Sequence, residues 1–205
     1  MTLASVTDLP SVFDGIEAVC FDAFGALVEI TDPQAPFVPL FRALPSAKQR
    51  ELKHRVLRED RPFEDWPTVL GVDVSGFALL DVLERLIIET SSIVLRPSMA
   101  NIWTRLRTKG LRLAVCSNLA SDYGTTLRNS LPDPPDVLAL SYKVGSIMPE
   151  PEIYAHVLDG LKLDPAKVLF VGNTPRAGIK GLRAARMMAL HVEDLKQIMA
   201  SESRS

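Results

Sequence analysis

The sequence predicts an α/β fold, in which a Rossmann-like parallel sheet carries helices on both faces and is interrupted by one inserted helical segment. Short apolar runs of strand length alternate along the chain with amphipathic stretches of helical length, which is the pattern of β–α–β units. Runs such as LRLAVC and KVLFV also lack polar alternation, as strands covered on both faces do. The pattern therefore favours a buried parallel sheet.

Five strands and four helices are predicted for the sheet and its covering layers. The predicted strands are residues 17–21, 111–116, 137–140, 168–171 and 187–192. The predicted helices are residues 98–109, 121–129, 151–158 and 176–186. Gly110 follows the first helix as a typical stop signal, and Pro151 suits the first turn of the third. These elements define a predicted core domain of residues 1–31 plus 97–205.

Residues 32–96 have a different pattern. Helical periodicity runs through FVPLFRAL, AKQRELKHRVLRED and FALLDVLERLIIETSSIVL, with breaks at prolines, and no strand is predicted there. We therefore expect these residues to form a helical cap domain that interrupts the core just after its first strand. A lobe inserted beside a sheet edge can roof a cleft, and ligands commonly bind at domain boundaries.

The composition is ordinary for a globular protein, with 47% hydrophobic and 23% charged residues among 205 and a formal net charge of −2. This charge balance indicates no nucleic-acid partner, and no apolar run approaches the roughly 18 residues that span a bilayer. The N-terminal stretch lacks the features of a signal peptide. Cys20 and Cys116 each lie inside an apolar run, so we expect buried free thiols and a cytoplasmic protein.

Polar and small residues gather where the predicted strands end. In chain order, the residues of interest at these ends are Asp22, Phe24, Gly25, Ser117, Asn118, Lys143, Asn173 and Thr174. Ligands of open parallel sheets bind beyond the carboxyl ends of the strands, so these residues predict a single site. A carboxylate among amide and hydroxyl donors suits nucleophilic attack on an electrophile whose negative charge the donors stabilise.

Four segments in chain order resemble the motifs of the haloacid dehalogenase (HAD) superfamily of aspartate-nucleophile hydrolases. FDAFGALVE resembles the first motif, a strand ending in Asp-x-(Asp or Tyr)-Gly-Thr-Leu, and VCSNLA resembles the second, a strand ending in Ser/Thr-Asn. SYKVGSIMPEPEIY and VLFVGNTPRAGIKGLRAARM resemble the third and fourth. The resemblance covers roughly residues 15–195 and implies the family fold, a helical cap at the insert and Asp22 in the place of the nucleophile.

The same resemblance exposes five departures from the family pattern. They fall at Phe24, Ala26, Met148, Asn173 and Gly178, where the family has an acid, a threonine, a lysine and two further acids. Asp22 is then the sole side-chain carboxylate at the motif positions, so Mg²⁺ is expected to bind weakly at best. The lost lysine would otherwise neutralise repulsion between the nucleophile and an anionic substrate.

The resemblance assigns roles to the residues at the strand ends. Catalysis would fall to Asp22, Ser117 and Lys143, with Asp22 also the one weak metal ligand, and substrate contacts to Asn118, Phe24, Gly25, Asn173 and Thr174. Structural alternatives exist for several of them. Asp22 could hold a turn, Ser117 or Asn118 could cap a helix, and Lys143 could be a solvated surface residue.

Two functions therefore stay open. One is a HAD-like hydrolase, of phosphatase or dehalogenase type, with impaired or lost Mg²⁺-dependent chemistry. Phe24 is closer to the tyrosine of the metal-free dehalogenases than to the acid of the phosphatases, although the dehalogenases also keep the lysine lost at Met148. The other is a catalytically inactive binding or regulatory protein on the same scaffold. The expected partner is a small anionic substrate or another protein, and the oligomeric state is left open.

Overall fold

The computed structural model of the chain describes residues 12–73, 76–173, 181–182 and 185–202. A five-stranded parallel sheet forms its centre, with the strand order β5-β4-β1-β6-β7. Its strands are β1 (Ala18–Phe21), β4 (Arg112–Ser117), β5 (Val137–Leu140), β6 (Val168–Gly172) and β7 (Met188–His191). A separate antiparallel pair consists of β2 (Val28–Ile30) and β3 (Ile93–Leu95). The five predicted strands of the core are confirmed to within one residue at each end.

Nine helices are described, with short 3₁₀ turns at Phe63–Asp65, Ser121–Tyr123 and Pro165–Lys167. In the part of the chain that the structure covers they are α1 (Phe37–Ala43), α2 (Ser46–Arg55), α3 (Trp66–Leu70), α4 (Gly76–Ser91), α5 (Pro97–Thr108), α6 (Gly124–Ser130), α7 (Ser141–Val144), α8 (Pro151–Leu161) and α9 (Val192–Glu202). The predicted helix at 121–129 begins as a 3₁₀ turn and continues as α6. The helix predicted at 176–186 falls largely outside the described residues.

The sheet is covered on both faces, because neighbouring residues of a strand point to opposite sides. Val19 and Phe21 of β1 belong to one apolar cluster, which also contains residues of α5 and α9. Ala18 and Cys20 belong to a second cluster, which contains residues of α8. All four side chains are fully buried. The predicted α/β class, with helices on both faces of a parallel sheet, is confirmed.

The inserted segment is mainly helical, with α1 to α4 all inside residues 32–96. The expectation that it contains no strand was wrong, because β3 pairs with β2 in the register Val28↔Leu95 and Ile30↔Ile93. β3 is three residues long and follows a continuous apolar helical stretch, so its pattern is too short to reveal a period of two. The pairing joins the two ends of the insert. The predicted domain boundaries at 31/32 and 96/97 stay a prediction.

Both cysteines are buried free thiols, as expected. Cys20 and Cys116 lie on neighbouring strands, and the contact with Cys20, together with burial, raises the pKa of the Cys116 thiol. A thiol in this state is a poor nucleophile and packs as a small apolar side chain. Among the described helices, none combines the length and the apolar character needed to cross a membrane.

Candidate active site

Asp22 lies at the carboxyl end of the central strand. Its backbone N–H donates to the carbonyl of Val171 at 2.9 Å, which continues the pairing of β1 with β6 by one residue. On the other side, Ser117 ends β4, and its Oγ donates to Oδ1 of Asp22 at 3.4 Å. The sheet order therefore brings the ends of three strands together around the Asp22 carboxylate, as the sequence predicts for this edge.

The Asp22 carboxylate is largely removed from water. Burial raises its pKa to about 6, and hydrogen bonds from the backbone of Ala23 and from Ser117 oppose that rise only in part. Asp22 takes part in none of the ion pairs found among the described residues. A buried carboxylate without a nearby cation is destabilised in its charged form. Asp22 is therefore a partly desolvated acid with no ion-pair partner among the described residues.

The turn after Asp22 depends on Gly25. Its φ of +82° lies in the left-handed region, and a Cβ there would lie 1.9 Å from Nδ2 of Asn173. Arg96 holds the turn from the end of the insert, because its Nη1 donates to the Gly25 carbonyl at 2.8 Å. Gly25 and Asn173, both predicted site residues, are thus in direct contact. Arg96 was missed, since an arginine before a helix-starting proline gives no signal of a long-range bond.

Phe24 occupies the position where family phosphatases have a second acid. Its ring packs edge-on against the ring of Tyr123, with centroids 6.2 Å apart at an angle of 88°. It also lines a cleft that is described below. An apolar ring here lowers the polarity of the site next to Asp22 and supplies neither a proton nor a metal ligand.

Asn118 is fastened to the loop before α8. Its Nδ2 donates to the carbonyl of Met148 at 3.0 Å, and its Oδ1 accepts from the N–H of Met148 at 2.7 Å. The Met148 side chain, at the position of the family lysine, packs against the apolar cluster that contains α8. Both ends of the Asn118 amide therefore bind the backbone of Met148. The alternative that Asn118 caps a helix is not what the structure shows.

Lys143 and Asn173 lie at the edge of the site. Lys143 is exposed on α7, and its Nζ lies 5.8 Å from the centroid of the neighbouring Tyr142 ring. No contact in the described part of the chain joins it to Asp22. Asn173 is exposed after β6, and its backbone oxygen lies 3.1 Å from Nε2 of His191. Thr174 lies outside the described residues.

A cleft of about 580 Å³ opens between the insert and the core. The insert and its base contribute Ile30, Phe37, Phe41, Lys53, Val56, Leu57 and Glu89 to its lining. The core contributes Phe24, Asn118, Leu119, Ala120 and Tyr123. Asp22 and Lys143 are not among the lining residues. Phe24 lines the cleft and lies two residues after Asp22 in the sequence, so the cleft and the carboxylate are neighbouring but separate sites.

Glu89 is a buried acid of α4 at the wall of this cleft, with 6% of its surface exposed. Oε1 accepts from the Tyr123 hydroxyl at 2.5 Å, and Oε2 accepts from the backbone N–H groups of Gln34 and Ala35 at 2.5 and 2.7 Å. Burial and the bond to Glu89 raise the pKa of Tyr123. Glu89 thus joins the insert to the core, and no sequence motif points to it.

The residues at the strand ends do not fit Mg²⁺. This ion needs near-octahedral oxygen coordination and prefers anionic ligands. At the motif positions, Asp22 is the one side chain that offers such a ligand. In the described residues, no group of three or more His, Cys, Asp or Glu side chains is placed to hold a metal. The donor set that remains is one carboxylate, one hydroxyl and amides already in use.

Three comparisons with known proteins agree with this fold. A family model described as haloacid dehalogenase-like hydrolase matches residues 16–186. The chain is 32% identical over 104 residues to Protein CbbY of Rhodobacter capsulatus, an alignment that covers 48% of the chain and 45% of that protein. The chain therefore spans less than half of that relative's length in the aligned region.

Solved structures with the same fold include several enzymes of this class. A HAD family enzyme from Bacteroides thetaiotaomicron matches with a TM-score of 0.64 at 17% identity, covering 86% of this chain and 93% of that one. CbbY from Rhodobacter sphaeroides, in complex with phosphate, matches at 0.57 and 21%, covering 86% and 85%. L-2-haloacid dehalogenase from Xanthobacter autotrophicus, with chloropropionic acid covalently bound, matches at 0.55 and 24%, covering 85% and 76%.

The sheet order, the carboxylate at the end of its central strand and the helical insert define an α/β protein with a parallel sheet and an inserted helical segment. With the family model spanning most of its length, the chain belongs to the haloacid dehalogenase-like hydrolase family.

Proposed function

We propose that this member of the family is a HAD-like hydrolase in which Mg²⁺-dependent chemistry is impaired or lost. The observation that carries the proposal concerns Asp22, which has a pKa of about 6 and, among the described residues, one side-chain hydrogen bond, from Ser117 at 3.4 Å. At neutral pH the carboxylate is mostly ionised, so it keeps the charge of a nucleophile. Within the part of the chain that the structure describes, it lacks the cations and acids that phosphoryl transfer uses.

A phosphorylated substrate is the least suited to such a site. A phosphate carries negative charge to a carboxylate whose surroundings are already desolvated, and repulsion between like charges grows in a medium of low dielectric constant. Mg²⁺ and a lysine would offset this repulsion in an ordinary phosphatase. Here Met148 packs into an apolar cluster and Lys143 is exposed beside Tyr142. This arrangement supports loss of efficient phosphatase activity.

Metal-free displacement is the hydrolytic chemistry that the remaining groups can support. An oxygen of the Asp22 carboxylate would attack a carbon that bears a halide, the carbon–halogen bond would break, and an ester would form as the halide leaves. Water would then hydrolyse the ester and regenerate the carboxylate. The apolar Phe24 beside Asp22 is compatible with a substrate that presents carbon rather than phosphorus.

A catalytically inactive binding protein is the second candidate function. It is favoured by the engagement of the Asn118 amide with the backbone of Met148, which takes up one N–H of Nδ2 and one lone pair of Oδ1. It is also favoured by an apolar cleft that Asp22 does not line. Groups that act together in catalysis lose most of their effect when several are missing.

Turnover assays with wild type beside Asp22→Asn test the proposal. With p-nitrophenyl phosphate and Mg²⁺ we expect wild type to stay at the level of Asp22→Asn. Turnover on the order of 1 s⁻¹ that needs both Mg²⁺ and Asp22 would refute the proposal. With 2-haloacids, halide release by wild type alone would establish the metal-free hydrolase, and its absence would favour the inactive binding protein.

A thermal-shift titration tests the metal site separately. We expect low millimolar Mg²⁺ to change the Tm of wild type no more than that of Asp22→Asn. A ligand stabilises a folded protein only to the extent that it binds the folded state. A clear rise in Tm that disappears in Asp22→Asn would show that the ion site is intact.

A further inference from the structure

The cleft beside Phe24 has features that the hydrolase chemistry at Asp22 does not explain. Its walls are mostly aromatic and aliphatic, and Asp22 is not one of the lining residues. A concave apolar surface of about 580 Å³ lies within the size range of sites that bury a small organic ligand. An occupant with an apolar body would gain stabilisation roughly in proportion to the apolar area that it covers.

Besides Tyr123, the ionisable side chains of Glu89 and Lys53 line the cleft, and these two differ in what they can still bind. Glu89 is buried, and its oxygens already accept three hydrogen bonds, from Tyr123, Gln34 and Ala35. It is therefore committed to holding the insert against the core. A cationic ligand group would have to compete with those donors.

Lys53 is the opposite case. It is exposed on α2, its Nζ lies 5.6 Å from the centroid of the Phe41 ring, and no carboxylate in the described residues pairs with it. Lys48 on the same helix instead pairs with Glu51 at 2.9 Å. The cleft thus combines an apolar interior with one ammonium group that has no carboxylate partner in the described part of the chain. This charge complementarity indicates the sign of the ligand's head group.

We propose that the cleft binds an amphipathic carboxylate, such as a medium-chain fatty acid, with its apolar tail between Phe24 and Phe41 and its carboxylate at Lys53. The proposal goes beyond the proposed function, because none of these contacts uses Asp22. It assigns Phe24 a positive role as a wall of the binding site. It also explains why an aromatic ring at position 24 lines the cleft beside Tyr123.

Isothermal titration calorimetry with decanoate, decanol and acetate tests this assignment on the full chain. We expect saturable binding of decanoate, binding of decanol at least about fivefold weaker, and none of acetate at the same concentrations. Octanoate should bind about tenfold more weakly than decanoate, since each buried methylene contributes to affinity. Decanol as tight as decanoate, or no saturable binding of decanoate, would overturn the proposal.

Variants of the protein test separately what the charge of Lys53, the volume of the cleft and the neighbouring Asp22 carboxylate contribute to binding. Lys53→Met should weaken decanoate binding about fivefold at low salt, whereas Lys48→Met, which removes an equal charge outside the cleft, should change it less than about twofold. Ala120→Leu should weaken binding by narrowing the cleft, with the Tm recorded to show that the variant is folded. If Ala120→Leu does not fold, the contrast between the two lysine variants still decides.

Asp22→Asn distinguishes this proposal from the proposed function. It should bind decanoate within about twofold of wild type, because the cleft does not include Asp22. Loss of decanoate binding in folded Asp22→Asn would contradict the separate site. Assays of halide release and phosphatase activity, by contrast, test the proposed function. Their outcome does not change the assignment of the cleft, which depends on the binding data alone.

Discussion

The two regions at the carboxyl edge of the sheet use their acids in opposite ways. At the seam between insert and core, three carboxylates bind donors from the other side, as Glu89 does with Tyr123, Asp122 with the backbone of Phe63, and Glu150 with Arg58. At the site itself, the hydrogen-bond partners of Asp22 in the described part of the chain are Ser117 and local backbone. The partners of Glu150 favour its charged form, whereas burial raises the pKa of Asp22, so the ionised Asp22 costs stability, which is a common signature of a functional position. Asp122 lies between these cases, because it accepts a hydrogen bond from Phe63 while burial raises its pKa.

Removing Glu89 should have the largest effect on stability. Glu89→Ala would leave the Tyr123 hydroxyl and the N–H groups of Gln34 and Ala35 without their acceptor inside the protein. We expect a loss of about 4 kcal/mol in the free energy of unfolding, measured by urea denaturation. Glu84→Ala, at an exposed position of the same helix, serves as the control and should stay within about 0.5 kcal/mol of wild type. Equal losses in the two variants would contradict the assignment of the seam.

Neutralising Asp22 should raise the free energy of unfolding instead of lowering it. Its pKa of about 6 in the folded protein exceeds its ordinary value of 3.8, so protonation favours the fold. That stabilisation is complete below about pH 3.8 and is lost as the pH rises through about 6. Asp22→Asn should therefore be more stable than wild type by up to about 3 kcal/mol above pH 7 and nearly equal to it near pH 4.

Urea denaturation at the two pH values measures this difference. A gain that is the same at both would show that it comes from packing rather than from the charge of Asp22. Ser117→Ala offers a matched check, because it removes the one side-chain donor to Asp22 and should lower stability slightly at neutral pH.

Breaking the ion pair of Glu150 should have the smallest effect. The backbone N–H of Ile147, then Arg58 and Ser146, hold the pKa of Glu150 at about 2, below its ordinary 4.5. Its stabilisation is present above about pH 4.5 and is lost as the pH falls toward about 2, the reverse of Asp22. Because this side chain is partly exposed, Glu150→Gln should cost about 1 kcal/mol at pH 7, against little change for Glu152→Gln. A cost that persists unchanged at low pH would contradict the charge assignment.

Residues with a local signature were predicted well, and residues that act across long distances were not. The strands of the core appear as apolar runs, and Asp22 with Gly25 follows from a strand end and a turn signal. Glu89, Arg96 and Lys53 carry no such mark, since their roles depend on partners contributed by separate parts of the chain. β3 was missed for the same reason, because its partner β2 lies on the far side of the insert. Only tertiary packing brings these groups together.

The ring of Phe24 limits how this scaffold can be engineered. An acid restored at position 24 would supply a second carboxylate two residues from Asp22, but it would also place a charge against Tyr123 and remove part of the cleft wall. One side chain cannot serve as a ligand for a hard cation and as an apolar wall. A designer who restores an acid at position 24 must therefore rebuild the cleft wall as well.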